Sequence, residues 1–185
     1  MYFAKLALLA LPFLGLAASK PIAIEKRATA VDVVSTLQNV IAGPITTLKS
    51  SDVSAADATS ALVSIKSAIS VATVSIGSAT AKRDLEGLAS SLSLEKRDDL
   101  SIVGQVLAEV IKDIVVAVEG LADDLKGLPL IGALIIDIDF GLNTLLLGVE
   151  LVLAGVIEIL QGLLSGVANL LQNLGNGLLA GLILA

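Results

Sequence analysis

Lys126 is the last basic residue of the chain. The 59 residues behind it hold only four charged side chains, Asp137, Asp139, Glu150 and Glu158, and residues 159–185 hold none. Apolar area on that scale costs about 25 cal/mol per Å² when left in water, so this half must be covered by protein, enter lipid or face another apolar phase. Projected at 100° per residue, Asn143, Glu150, Glu158, Gln161, Ser165, Asn169, Gln172 and Asn176 fall within an arc of roughly 100°. The expectation is one long apolar helical region with a narrow polar line. Gly141, Gly148, Gly155 and Gly162 recur every seventh residue beside that line. Four such glycines cost about 1 kcal/mol each in helix propensity, which the close approach of a second helix would offset. They are read as a helix-packing seam, with the alternative that they break the region into short helices, as Gly175, Asn176 and Gly177 are expected to do.

Length permits residues 140–162 to span a bilayer. Glu150 near the middle costs about 2.5 to 3.5 kcal/mol on insertion scales, and no Lys or Arg flanks the segment to set its orientation. A lipid-anchor signal is weak for want of a polar spacer before the short tail. The expectation is therefore a helix that is not a span.

Composition excludes several chemistries. The chain has no His, Cys or Trp, so Ser-His and Cys-His catalysis, the usual zinc and haem sites and a disulfide framework are unavailable to it. No catalytic, cofactor-binding or metal residues are assigned. Asp137 and Asp139 flank Ile138 and could in principle bind a cation or work as an acid-base pair; with no His and no basic neighbour in sequence, a polar edge or helix start is the preferred reading. A net charge of −6 disfavours nucleic acid as a partner, because phosphate binding needs a basic face. The only aromatics are Tyr2, Phe3, Phe13 and Phe140.

The N-terminus reads as a secretory signal over residues 1–19. Lys5 is the basic n-region, residues 6–16 the apolar core, and Ala17, Ala18 and Ser19 the small residues at the cleavage site. Residues 20–27 then end on Lys26-Arg27, a dibasic pair that returns at Lys82-Arg83 and Lys96-Arg97. A kexin-type protease reads such pairs in exposed, extendable segments; the other reading is a charged helix end or loop. Cleavage after Arg27 leaves eight basic and seventeen acidic residues, a net charge of −9.

The remainder divides by composition. Residues 28–80 are rich in Ser, Thr and Ala. Val31, Val34, Leu37, Val40 and Ile41 predict a short helix stopped by Gly43-Pro44. After an N-cap at Ser51-Asp52, the series Ala58, Leu62, Ile65, Ile69, Ala72, Ile76 predicts an amphipathic helix with a hydroxyl-rich face, open to O-linked sugars or simply solvated. Residues 81–97 read as a flexible dibasic linker with a domain boundary near Arg97. In 98–185, Val103, Val106, Leu107, Val110, Ile114, Val118, Leu121 and Leu125 predict a single helix running to Gly127 and Pro129, about 40 Å long. The fold class is all-α, with amphipathic helices around or beside a long Gly/Leu-rich apolar region.

Signal, Glu-Lys-Arg site, a cysteine-free hydroxyl-rich N-terminal half and a Leu/Gly/Val/Ile C-terminal half together resemble, in layout, the small secreted basidiomycete proteins that accompany hydrophobins. Hydrophobins themselves are excluded by the missing cysteines. The resemblance implies a secreted cell-wall or extracellular-matrix location, a role in aerial hyphae or attachment, and hydrophobic surfaces as partners. The leading expectation is a non-enzymatic, surface-active or self-associating protein. Two alternatives stay open: a membrane-active or lipid-binding helical protein, and a kexin-processed precursor of secreted peptides.

Overall fold

The structure is a computed structural model that describes residues 29–86 and 95–165. Their regular elements are all helices, with no strand among the described residues: α1 (Ala30–Leu48), α2 (Ala55–Glu86), α3 (Glu95–Glu119), α4 (Asp123–Lys126), α5 (Pro129–Val152) and α6 (Val156–Leu164). The signal, Lys26-Arg27, and the polar positions Asn169, Gln172 and Asn176 lie outside the described residues, as do Gly175 and Gly177.

α1 begins with a capping box. The Thr29 hydroxyl accepts from the Asp32 backbone N–H at 3.1 Å, and the Asp32 carboxylate accepts from the Thr29 N–H at 3.0 Å. The helix does not stop at Gly43-Pro44 as expected but runs through Pro44 to Leu48. Interior proline costs about 3 kcal/mol. Continuing the helix buries Ile45 and Leu48, each worth about 1.5–3 kcal/mol, so tertiary packing outweighs the breaker.

α2 is capped by Ser54 rather than by Ser51-Asp52: the Asp57 N–H donates to the Ser54 hydroxyl at 3.1 Å. Ala58, Leu62, Ile65, Ile69, Ala72 and Ile76 are all buried, joined by Ala61. In α1 the buried line is rotated from the expected one, with Val33 inside and Val40 outside.

α3 is shorter than the expected rod, because the chain breaks at Gly120 before α4. Leu121 is buried beyond the break, and Lys126 folds back so that its ammonium donates to the Glu119 carbonyl at 2.9 Å. The last basic residue of the chain thus satisfies an orphan carbonyl at a helix C-terminus, where a cation also complements the helix dipole. Gly127 is right-handed (φ −70°), not a left-handed cap, and Pro129 sits in the first turn of α5, where its missing N–H costs nothing.

Pairings across helices give their directions. Lys66 meets Asp137, Ile69 lies against Gly141 and Ile76 against Gly148, so α2 and α5 run parallel. α1 and α2 form a hairpin. Gln38 meets Glu109 and Lys49 meets Asp113, so α1 and α3 run the same way, as do α3 and α6, where Leu100 lies by Gly155 and Gly104 by Ile159. The neighbours follow the order α5, α2, α1, α3, α6, with α6 turned back against the direction of α5. One buried cluster takes residues from all five of these helices. The compositional change near Arg97 is therefore not a boundary in the packing.

Candidate functional site

The buried side chains of α5 are Ile131, Leu134, Ile135, Ile138, Asp139, Leu142, Leu145, Leu146 and Val149. That arc is covered by α2 and the shared core. On the opposite side, Ile136, Phe140, Leu147 and Leu151 are 65%, 61%, 47% and 78% exposed. Their spacings of 4, 7 and 4 keep them in one line. The line runs about 22 Å along the helix; Leu130, 60% exposed, stands off it, about 120° around from Ile136. Phe140, the one aromatic beyond Phe13, is thus spent on the surface and not in the core.

The polar side chains near this stripe are largely satisfied. Thr144 is exposed beside it, and its hydroxyl donates to the Phe140 carbonyl at 2.9 Å. Asp137 at its edge is paired with Lys66 of α2 at 2.7 Å. Both partners are about half exposed, so the pair neutralises the edge more than it stabilises the fold. The expectation that Asp137 lacks a basic partner is corrected here: the partner comes from another helix, 71 residues away. Asp137 and Asp139 also leave α5 on different sides, one exposed and one buried, so they are neither an acid-base pair nor a helix start. No cluster of three or more potential metal ligands occurs among the described residues.

The expected continuous helix through residues 140–162 is broken at residues 153–155. Gly155 has φ +98°, the left-handed region open to glycine, and it begins the reversal into α6. Glu150 is not a member of a wet polar line. Its two carboxylate oxygens accept from the Gly155 N–H at 2.7 Å and the Ile157 N–H at 3.0 Å, capping α6 from the last turn of α5. A carboxylate at a helix N-terminus satisfies donors that have no intrahelical partner and meets the positive end of the dipole. Glu150→Ala leaves two half-buried N–H groups unpaired and is expected to lower stability by about 1–3 kcal/mol in urea denaturation. Unchanged stability would show that water replaces the carboxylate fully.

The four heptad glycines separate into different roles. A Cβ on Gly141 would stand 3.1 Å from Ile69 Cγ2, and one on Gly148 would stand 3.3 Å from Ile76 Cγ2, so these two sit in the α2–α5 contact. Gly155 makes the turn, and Gly162 has nothing within 4 Å. The tightest approach is at a glycine the heptad pattern passed over: a Cβ on Gly104 would lie 2.7 Å from Ile159 Cγ2. Gly104 stands alone in α3, so no repeat in the sequence drew attention to it.

Lys82-Arg83 lie within α2, and Lys96-Arg97 lie in the first turn of α3. A protease needs extended backbone, so cutting at either pair requires a helix end to unwind. On α2, Thr59, Ser64, Ser70, Thr73, Ser75 and Ser78 each donate to the carbonyl four residues earlier at 2.7–3.0 Å. The hydroxyl face is thereby partly self-satisfied, retaining acceptor lone pairs but not its protons. Both Ala55–Ser78 and Pro129–Val152 are long and apolar enough to cross a bilayer, and less than half of each is buried.

No protein-family model, curated protein or solved structure matches the chain.

Proposed function

We propose that the protein is a secreted, non-enzymatic, surface-active protein that coats or attaches to hydrophobic surfaces at a fungal cell wall. The observation that carries this reading is the uncharged stripe of Ile136, Phe140, Leu147 and Leu151, held outward on a helix whose other side is locked into the core. Contiguous exposed apolar area of this kind marks an interaction surface, and its removal from water supplies the driving force. The back-bonded hydroxyls of α2 and the Lys66–Asp137 pair lower the cost of bringing the neighbouring surface close to an apolar phase. Layout resemblance to secreted hydrophobin-accompanying proteins supports the location.

The purified chain is expected to lower the surface tension of water and to leave a wettable film on Teflon after rinsing, both measurable by drop-shape analysis. A monomer that leaves surface tension and contact angle unchanged would overturn the reading. Leakage from neutral liposomes without adsorption to Teflon would favour a membrane-active role instead.

A further inference from the structure

The outer side of the α1–α2 hairpin holds a groove of about 660 Å³, away from the α5 stripe. Its floor is Val33, Leu37 and Ala72, which are buried, and its rims carry the exposed Val40, Val63 and Val71. The space exists because α2 presents only small side chains beside those valines: Ser64, Ser67 and Ala68 between Val63 and Val71, and Ser75 beyond. Any large residue at these positions would fill it. The volume lies within the roughly 300–1,000 Å³ typical of small-ligand sites.

The chemistry of the lining narrows the occupant. No aromatic and no basic residue lines the groove, so neither a stacked planar ligand nor a carboxylate- or phosphate-headed one finds a partner. The one charged residue, Asp32, lies at the end where α1 begins. Its carboxylate already accepts from the Thr29 N–H and sits at the positive end of the α1 dipole, which offsets its attraction for a cationic head. Thr36, Ser64 and Ser75 each spend their hydroxyl proton on a backbone carbonyl four residues back. Ser67 keeps its hydroxyl proton, so what remains is a carbon-lined slot without a cation, edged by hydroxyls of which three can only accept.

We propose that this groove binds an uncharged single-chain amphiphile, with the alkyl chain along Leu37 and Ala72 and a hydroxyl head that donates to the serine and threonine oxygens. The site is independent of surface activity through α5.

Hexadecanol, palmitate and hexadecylamine, competing with Nile red on the full chain, test this directly. Hexadecanol is expected to displace the dye at about tenfold lower concentration than either charged chain, a difference of about 1.4 kcal/mol. Ser67 is exposed, so changes there keep the fold, which circular dichroism checks. Ser67→Trp fills the groove and is expected to weaken hexadecanol at least about tenfold. Ser67→Lys supplies the missing cation and is expected to turn the preference toward palmitate. Equal displacement by all three head groups would overturn the proposal, and so would dye binding indifferent to both Ser67 variants. Loss of binding on replacing Phe140 and Leu147 by serine would place the ligand on α5 instead and equally overturn it.

Discussion

Replacing Ile136, Phe140, Leu147 and Leu151 together by serine is expected to abolish adsorption to Teflon while leaving the helical fold intact. Each of these side chains is between 47% and 78% exposed, so a substantial part of its apolar area is available to a surface. Full burial of such a side chain is worth about 1.5–3 kcal/mol, and half of that for four residues comes to roughly 4 kcal/mol. The partition between water and surface then falls by about three orders of magnitude. Serine at exposed helical positions costs roughly 0.5 kcal/mol each in propensity, and the buried arc of α5 is untouched. Unchanged helicity with lost adsorption, by circular dichroism and quartz-crystal microbalance, is the expected pair of results. Undiminished adsorption by the quadruple variant would remove the stripe from the mechanism.

Gly104→Val is expected to be the most destabilising substitution at a glycine within the helices described. Even the Cβ would lie 2.7 Å from Ile159 Cγ2 and 3.3 Å from Ile159 Cβ, and the second of these atoms is not a flexible end that can swing away. Overpacking of this kind costs about 1–3 kcal/mol. The remedy open to the fold is to push α6 off α3, at the expense of burying Val156, Leu160 and Leu164. Gly104→Ala should be milder, since about 1 kcal/mol of helix propensity is regained. Ile159→Ala should rescue the valine variant, giving a favourable coupling energy in a double-mutant cycle by urea denaturation. A cycle with no coupling would show that α6 does not depend on this approach. No such coupling is expected at Gly162, which has open space around it.

Much of this architecture could be read from periodicity. The α2 line from Ala58 to Ile76 is buried as its spacing predicts, because a helix with polar residues on one side has only one phase that hides its apolar side chains. α3 was legible only in part. Ala108, Ile111 and Val115 are also buried, since α3 has α1 on one side and α6 on another, and a single expected stripe describes one neighbour. α5 was the least legible: a cylinder apolar nearly all round has no phase, so its sequence could not say which arc would meet α2 and which would meet solvent.

The candidate site follows the same division. Glu150 and Asp137 stood out in the sequence as charges in an apolar field, but their partners, the α6 N–H groups and Lys66, are reached only after the chain reverses or another helix arrives. Asp137 does lie on a polar edge, as expected, whereas Glu150, expected on a wet polar line, caps α6. Pro44 fails as a breaker for a related reason, because the burial of Ile45 and Leu48 is a tertiary gain that local propensity does not contain.

By itself the sequence determined an all-helical chain without cysteine or histidine chemistry, the inner face of α2, and a C-terminal half too apolar to be left wholly in water. Tertiary structure decided where the long helices break, that Gly104 and not Gly162 receives a neighbouring helix, and that Phe140 stands outside. The physical reason is that helix periodicity is a property of one element, whereas covering an apolar cylinder depends on which neighbours reach it, and here they reach only one side.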